Sequence, residues 1–396
     1  MNPAPLDGLR VVEMGRVMAA PFCGQMLGDM GADVIKVEMP PGGDESRSYG
    51  PHNFGGVGYY FASLNRNKRG LSLNLKEDGA KEILRRLLRD ADVFIHNSLP
   101  RAVDGLGFSY EHARDINPRL VYCSINGYGA RGPNKNTPAL DMIAQAGSGL
   151  MSVTGPPEGP PFRSGAPVAD LTAGMYSAYA ILGALRQRDL TGRGQQVDTS
   201  LLEAATSLMT YMASHHFITG DNPRRMGNAH PSIVPYDTYP TADGWVAIAV
   251  VNAGTWRRFC GALGLGHLVG DERFAAIPDR AGNRAALDDV LVERFATMTS
   301  KDLVLALRGA DVPCEAVRTL DQVFADDNSV AIGLRADFEH PKAGPMSAVN
   351  TPYHLADWPD TIQKPPPALG EHNAEILRDL GYSVDEIASF RTSGAI

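Results

Sequence analysis

Cysteine and aromatic side chains are scarce in this chain: it has 4 cysteines among 396 residues, and Phe, Trp and Tyr make up 7% of it. The cysteines, Cys23, Cys123, Cys260 and Cys314, stand far apart, without the short spacing of a zinc-ligand pair. This pattern excludes a disulfide scaffold and favours no metal site. We interpret the four as buried thiols in a reducing compartment.

A surplus of basic residues is also absent. The chain has 37 Lys and Arg against 45 Asp and Glu, and its formal net charge is -8 at pH 7. This balance argues against nucleic acid or an acidic membrane surface as the main partner. The first residues show no secretory signal pattern, and we find no window of the apolar length that crosses a bilayer. We therefore expect a cytoplasmic protein without a membrane partner.

Glycines are missing where a nicotinamide dinucleotide site would need them. Leu9–Met14 is predicted to be a buried strand, Pro21–Met30 a helix and Asp33–Glu38 a second strand, which together make a parallel βαβ unit. The turn after the first strand, GRVMAAP, has one glycine, whereas close approach to a pyrophosphate needs several. The carboxyl end of that strand is still a natural place for another ligand.

The first two hundred residues alternate strands with helices, the pattern of an α/β fold. Further strands are predicted at 71–75, 92–96 and 120–125, and an amphipathic helix at 80–89. With this length the chain should form two domains, the larger an α/β domain over 1–224.

The pattern changes near residue 225. Tyr236–Tyr239 and Trp245–Val250 alternate around the turn ADG, which predicts a hairpin. Helices are expected near 256–263, 285–295 and 303–308. We predict a smaller α+β domain over 225–330. The proline-rich segment 331–396, with a short helix after Gly370, should return to the large domain because it has little core of its own.

One carboxylate, Asp170, stands at the mouth of a long uncharged helix. Apolar residues recur at steps of four and three from Leu171, which predicts a helix to about Leu185. An Asp at a helix start caps free backbone N–H groups, and the helix dipole should keep it ionised. Small residues surround it: Gly165, Ala166, Ala169, Ala173 and Gly174. Asp170 is therefore either a helix cap or a nucleophile that a ligand can approach closely.

A basic cluster, Arg66, Lys68 and Arg69, precedes the predicted strand at 71–75. Such a cluster is usually a solvated turn. A contact to phosphate is the alternative.

Several motifs resemble a known family. They are LDGLRVVEMGRVMAAPFCGQMLGDMGADVIKVE, NRNKR, DVFIHN, YGARGP, PVADLTAGMYSAYAILGAL with TGRGQ, and PPPALGEHNAEILRDLGY. In this order and over essentially the whole chain they resemble family III CoA-transferases, which include formyl-CoA and carnitine CoA-transferases. RRMGNAHPSIVPY is similar to the branch that acts between succinyl-CoA and small dicarboxylates such as glutarate.

The resemblance implies a fold and a set of site residues. The fold is an interlocked homodimer in which each subunit has a Rossmann-like large domain built from both chain ends and a smaller α+β domain. Asp170 matches the nucleophilic aspartate of the family. Residues at positions of CoA contact are Val17, Ala19, Leu73, Lys76 and Asn97.

Departures from the formyl-CoA subgroup argue against formate and oxalate as substrates. That subgroup has a glutamine where Met18 stands and a tyrosine where Leu140 stands, and a glycine run closes over its site. Two of its basic CoA contacts fall on Met39 and Gly105. Arg101 is our candidate substitute for them.

The predicted reaction moves CoA from an acyl-CoA, with succinyl-CoA as the expected donor, to a small dicarboxylic acid. It proceeds through an aspartyl anhydride and an aspartyl-CoA thioester. The CoA thioester is a substrate, no cofactor is held covalently at rest, and no metal is expected. A carboxylate substrate needs a cation, for which the candidates are Arg16, Arg47 and His230. The sequence leaves open which acid, which cation and which backbone groups serve the oxyanion.

Two alternatives remain at this point. An α-methylacyl-CoA racemase shares the implied fold and aspartate, but such racemases have a histidine as second acid/base group where Leu140 stands. The other alternative is a non-catalytic CoA-binding protein that keeps the fold.

Overall fold

The structure, a computed structural model, describes residues 3–51, 53–358 and 362–396. The chain divides into two compact units. The first comprises Met1–Leu150, Arg163–Ile218 and Val330–Ile396, and the second comprises Met151–Phe162 and Thr219–Ser329. The sequence predicts domain boundaries at residues 224 and 330.

The secondary structure follows the alternation expected from the sequence. The strands are β1 Arg10–Met14, β2 Asp33–Glu38, β3 Asn53–Phe54, β4 Val57–Gly58, β5 Lys68–Ser72, β6 Val93–His96, β7 Val121–Asn126, β8 Gln196–Ser200, β9 Tyr236–Pro240, β10 Trp245–Ala249, β11 Cys314–Ala316, β12 Arg335–His340 and β13 Gly344–Val349. The helices are α1 Ala19–Asp29, α2 Tyr59–Ala62, α3 Asp78–Arg89, α4 Pro100–Gly105, α5 Tyr110–Ile116, α6 Asp141–Gly147, α7 Leu150–Val153, α8 Val168–Thr191, α9 Leu201–Ser207, α10 Thr210–Thr219, α11 Ala253–Ala262, α12 Ile277–Gly282, α13 Arg284–Phe295, α14 Ser300–Arg308, α15 Leu320–Ala325, α16 Asp327–Ala331, α17 Asn373–Asp379 and α18 Val384–Thr392. Short 3₁₀ turns cover Glu45–Ser48 and Gly266–Gly270.

The first unit is built on a parallel sheet with the strand order β5-β2-β1-β6-β7-β8. The predicted βαβ unit is confirmed, since β1 pairs with β2 in parallel and β2 has the predicted bounds. Successive side chains of β1 point to opposite faces of the sheet. Val11 packs with α1 and α8, and Val12 packs with α3 and the C-terminal helices. The α/β prediction for this part of the chain is therefore confirmed.

The strand predicted at 71–75 is shifted toward the N-terminus: β5 begins at Lys68 and ends at Ser72. Charged residues enter the strand because acidic groups from other elements neutralise them. Lys68 pairs with Glu13, and Arg69 pairs with Asp33. The strand start therefore depends on partners that local alternation cannot reveal.

Helix α8 is longer than predicted and is the long apolar helix of the first unit. It runs for 24 residues to Thr191 and ends at Gly192, whose φ of 74° suits a left-handed helix end. By length and composition it could cross a membrane, so the expectation that no window reaches this length is wrong. Half of that window is buried inside the protein, where its side chains pack with those of α1 and the sheet.

The residues after β8 form two helices rather than one continuous helix. Helix α9 ends at Ser207, and α10 begins at Thr210, which has a φ of 24°.

The C-terminal segment contains more regular structure than its proline content suggests. Strands β12 and β13 form an antiparallel hairpin, and α18 follows the predicted helix. The backbone N–H of Asn67 donates to Lys364, and that of Asn74 donates to Ala395. Ile376 and Ile387 join the core around α3. This segment thus completes the outer edge of the sheet.

The second unit has its own small sheet, with the antiparallel order β11-β10-β9. The predicted hairpin is confirmed by the pairing of β9 with β10. Trp256, Phe259 and Phe295 form the centre of a separate hydrophobic core beneath this sheet.

Candidate active site

The carboxyl edge of the parallel sheet has a point where the strand order reverses. From β1 the chain moves outward to β2 and β5, then returns to β6 on the other side of β1. At this point Arg16 N–H donates to Asn97 Oδ1 at 3.0 Å, and Asn97 Nδ2 donates to the Arg16 carbonyl at 2.7 Å. A crevice outside such a reversal is where open α/β sheets bind ligands. Two predicted site residues therefore meet where a ligand is expected.

Val17 and Ala19 continue from this crevice into α1. The Val17 N–H donates to the carboxylate of Asp44, and Val17 has a φ of 65°. Ala19 is the first residue of α1 and is buried. Its helix has no side-chain cap, so the first N–H groups have no intrahelical partner.

Leu73 and Lys76 follow β5 at the same edge. Leu73 is buried, and its N–H donates to the Glu38 carbonyl at the end of β2 at 2.8 Å. Lys76 is exposed, and its N–H donates to Asn74 Oδ1 at 3.3 Å.

Arg101 lies on α4, beyond β6. It is exposed, its N–H donates to Asn136 Oδ1 at 3.0 Å, and it lines a cavity of about 450 Å³ that also contains Lys135. The structure therefore brings the predicted CoA contacts to the carboxyl ends of β1, β5 and β6. Their roles in binding stay predictions.

Asp170 lies inside α8 rather than before it. The helix begins at Val168 with Pro167 in the capping position, so Asp170 is the third helical residue and the cap interpretation is wrong. No described group donates a hydrogen bond to its carboxylate, which is half-buried. A carboxylate without partners is available for chemistry.

The small residues around Asp170 allow α1 to pack closely against α8. A Cβ at Gly174 would lie 2.8 Å from the Ala19 carbonyl and 3.1 Å from the Phe22 ring. Ala169 and Ala173 are fully buried on the same side. The backbone that approaches closely is thus the first turn of α1, which lies one helical turn from Asp170.

Asp141, the first residue of α6, supplies the cap that Asp170 does not. Its Oδ1 accepts from the N–H of Ala169 at 2.8 Å and of Asp170 at 3.3 Å. Its Oδ2 accepts from buried Gln145 at 2.6 Å, and Gln145 Oε1 in turn accepts from the Ser164 N–H. The first N–H groups of α8 are therefore already occupied.

Burial, and secondly the negative charge of Asp141, raise the pKa of Asp170 from 3.8 to about 7. The expectation that the helix dipole keeps this group firmly ionised is therefore wrong. Loss of solvent and a like charge outweigh the dipole, whose N–H groups bond to Asp141 instead. The nucleophile candidate changes its charge near neutral pH.

Tyr60, on α2, faces the same charges. Burial raises its pKa to about 12, with further contributions from Asp170, Tyr49, Asp141 and Asp44. At neutral pH its phenol is thus a hydrogen-bond donor near the Asp170 carboxylate.

Asp141→Asn should shift the pH dependence of the reaction. The predicted nucleophile, Asp170, must be ionised to attack, so the wild-type rate should rise with pH through about 7. Without the charge of Asp141 the midpoint should move below 7 but stay above 3.8, because burial is the larger cause of the shift. The measurement is kcat against pH from 5 to 9, and a midpoint equal to that of the wild type would exclude this electrostatic coupling.

Arg47 is not a free cation for a substrate. It forms a bidentate ion pair with Glu38 at 2.6 and 2.7 Å, donates to the Pro367 carbonyl, and stacks on Phe61 with 3.6 Å to the ring centre. The basic cluster is likewise committed, since Arg66 pairs with Asp29. It is neither a solvated turn nor an open phosphate site.

His230 lies in the second unit and stabilises a turn. Its Nδ1 accepts from the N–H groups of Ser232 and Ile233 at 3.2 and 3.1 Å. An Nδ1 that accepts these bonds is occupied by the turn and does not serve a substrate. The structure therefore gives His230 a structural task in the turn, and its role as substrate cation stays a prediction.

Arg16 is the most open of the three candidate cations. Its side chain is 60% exposed, and its guanidinium pairs with Glu45, whose side chain is 46% exposed. Exposed ion pairs are weak, and a substrate carboxylate can replace Glu45 at small cost.

Sequence reasoning missed Asp141 and Tyr60. A Gln four residues after Asp141 hints at their hydrogen bond, but the contact to α8 spans 28 residues. No local sequence pattern points to Tyr60 as a site residue.

The four cysteines are free thiols, of which Cys314 is half-buried. Among the described residues, no group of three His, Cys, Asp or Glu could hold a metal.

The sequence profile of CoA-transferase family III matches residues 6–373. The chain belongs to CoA-transferase family III. The succinate–glutarate CoA-transferase of Agrobacterium fabrum is 39% identical over 384 residues, covering 95% of this chain and 96% of that protein. The human succinyl-CoA:glutarate CoA-transferase is 35% identical over 397 residues, covering 100% and 90%. The crystal structure of a CaiB/BaiF family protein from Brucella suis has a TM-score of 0.87 at 38% identity, covering 96% of this chain and all of that one.

The resemblance found in the motifs is thereby confirmed, and this CoA-transferase uses CoA thioesters as substrates. Its parallel α/β architecture agrees with the solved relative.

Proposed function

We propose that this family III CoA-transferase moves CoA from succinyl-CoA to a small dicarboxylic acid, with Asp170 as covalent nucleophile. The observation that carries the proposal is a half-buried carboxylate with no described hydrogen-bond partner and a pKa of about 7. Poor solvation makes the ionised form reactive. The names of the relatives from Agrobacterium fabrum and human support the choice of succinate and glutarate as acids.

The reaction is balanced without a cofactor. The Asp170 carboxylate attacks the thioester carbonyl, the C–S bond breaks, and a mixed anhydride and the CoA thiolate form. The thiolate attacks the aspartyl carbonyl and releases the donor acid, which leaves an aspartyl-CoA thioester. The acceptor carboxylate then displaces the thiolate, forming a second anhydride. Attack of the thiolate on the acceptor carbonyl gives the new acyl-CoA and frees Asp170.

The tetrahedral oxyanions need hydrogen-bond donors that are already in place. The first N–H groups of α8 bond to Asp141, so they are unsuited. Those of Ala19 and Ala20 open α1, have no described acceptor and lie next to the Asp170 helix at Gly174. We assign them to the oxyanion, where the positive end of the α1 dipole adds to the effect.

The free end of a dicarboxylate needs a cation, and Arg16 is our assignment. It stands beside Asn97 at the crevice, and its only described ion pair is the exposed one with Glu45. A guanidinium suits this task because it binds a carboxylate through two parallel hydrogen bonds.

A second copy of the chain is part of the proposal. Large apolar side chains are exposed on α8 and α10, among them Tyr179, Tyr211, Phe217 and Ile218. Exposed apolar patches of this kind mark protein interfaces. This supports the homodimer that the family resemblance implies.

A panel of acids tested against succinyl-CoA would examine the proposed substrates. Glutarate, hydroxymethylglutarate, itaconate, mesaconate, citramalate and malate are mixed with succinyl-CoA and enzyme, and product masses are read directly. We expect at least one dicarboxyl-CoA with stoichiometric release of succinate.

The same panel run on Arg16→Gln tests the cation. We expect KM for the acid to rise by about tenfold, whereas Glu45→Gln, which removes the partner but keeps the cation, should not raise it. No transfer to any acid by the wild type would refute the proposed substrates. Exchange of the α-proton of a 2-methylacyl-CoA in deuterated water without any acid would favour a racemase instead.

A further inference from the structure

Val17 has a backbone conformation that its side chain disfavours. Its φ of 65° lies in the left-handed region, which a β-branched residue rarely enters. Such outliers persist only where surrounding contacts enforce them, and they concentrate at functional sites. Contacts to the Val17 peptide must therefore hold its left-handed conformation.

The carboxylate of Asp44 makes the contacts that hold the Val17 peptide. Its Oδ1 and Oδ2 lie 3.0 and 3.2 Å from the Val17 nitrogen, and the Ser46 N–H and hydroxyl donate to Oδ1 at 2.9 and 2.7 Å. Asp44 is 1% exposed, and its own N–H donates to Glu38. One side chain thus fixes the peptide that precedes α1.

A buried chain of charges fixes Asp44 in turn. Lys36 Nζ lies 3.0 Å from Asp44 Oδ2 and 3.1 Å from Glu13 Oε1, and both Lys36 and Glu13 are fully buried. Burial opposes ionisation of Asp44, but the Lys36 charge and the hydrogen bonds from Ser46 and Val17 hold its pKa below the ordinary value. Asp44 is therefore a fixed anion with a fixed position.

The segment that Asp44 holds adjoins the reacting carboxylate. Two residues after Val17, the Ala19 carbonyl meets α8 at Gly174, where a Cβ would lie only 2.8 Å away. A change of φ at Val17 would move the first turn of α1 against this contact. The geometry around Asp170 thus depends on the Val17 peptide.

We propose that Asp44 is a positioning residue that keeps Val17 in the left-handed conformation and thereby sets the first turn of α1 beside Asp170. The inference rests on the proposed function, since its main readout is CoA transfer. It assigns a task to the buried charge chain beyond stabilising the fold.

A double-mutant cycle tests this, because glycine adopts a left-handed φ without help. Asp44→Ala should lower kcat by about tenfold or more when residue 17 is Val. In the Val17→Gly background, itself expected to raise KM through the lost side chain, the same change should lower kcat by less than about threefold. Lys36 stays paired with Glu13 in both, so the variants should fold.

Asp29→Ala is the matched control. It removes another buried carboxylate, paired with Arg66, at the far end of α1. It should lower the thermal midpoint, and glycine at position 17 should not reduce its effect on kcat. Crystal structures of the variants give the φ of Val17, and calorimetry gives CoA affinity.

The outcomes separate the two hypotheses. Equal losses of kcat from Asp44→Ala in both backgrounds, or an unchanged φ at Val17, would overturn the positioning role while leaving the transfer reaction intact. An inactive wild type that still binds CoA would instead overturn the proposed function.

Discussion

Asp170→Ala should lose CoA transfer by at least about a thousandfold, because the neighbouring carboxylate of Asp141 is held by N–H groups of α8 and by Gln145 and cannot take its place. Asp189→Ala, which removes an exposed carboxylate from the same helix, should leave kcat within about twofold. Incubation with succinyl-CoA and hydroxylamine followed by peptide mass spectrometry should show a hydroxamate at position 170 in the wild type only. A wild-type protein that turns over without this label would contradict the mechanism.

The variant Asp170→Asn separates chemistry from folding. In the wild type the folded pKa of about 7 exceeds the ordinary value of 3.8, so the folded state holds this proton more tightly and stability falls as pH rises between the two. The amide that replaces the Asp170 carboxyl group has no proton to lose in this range, so the variant does not lose this stability as the pH rises. The inactive variant should therefore be the more stable protein above pH 7, and the difference should vanish near pH 4.

Glu13→Gln should lower the free energy of unfolding by about 3–5 kcal/mol, the second large effect. Glu13 is fully buried and pairs with two buried lysines, Lys36 at 3.1 Å and Lys68 at 2.7 Å. Burial already lowers the pKa of Lys68 to about 8 with Glu13 present. Without it, Lys36 keeps its ion pair with Asp44, whereas Lys68 loses the one carboxylate to which it is paired among the described residues.

Urea unfolding at pH 7 measures this effect. Glu45→Gln is the matched control, since it breaks an ion pair on the surface and should change stability by less than about 1 kcal/mol. Equal midpoints for the two variants would show that the buried charges add little to stability.

Elements fixed by local patterns could be predicted from the sequence. Strand β2 is a short, nearly continuous apolar run and was predicted to the residue, and the spacing from Leu171 revealed the long helix α8. Asp170 could be singled out because a lone carboxylate among small residues is unusual. The family resemblance added its nucleophilic role.

Features that depend on distant partners could not be predicted. Arg69 belongs inside a strand because Asp33, Glu375 and Asp379 surround it, and two of these lie more than 300 residues away. The sequence alone makes Arg47 a plausible substrate cation, but in the fold its guanidinium pairs with Glu38 and stacks on Phe61. The pKa of Asp170 depends on Asp141, which no spacing rule connects to it.

The backbone hydrogen bond from Asn74 to Ala395 joins the sheet edge to nearly the last residue that is synthesised. A growing polypeptide can pair β1, β2 and β6 early, yet the margin beside Leu73 stays incomplete until residue 395 has emerged from the ribosome. Because Leu73 is a predicted CoA contact, we expect the chain to acquire affinity for CoA only once residue 395 is free to bond, after most of the sheet has already formed.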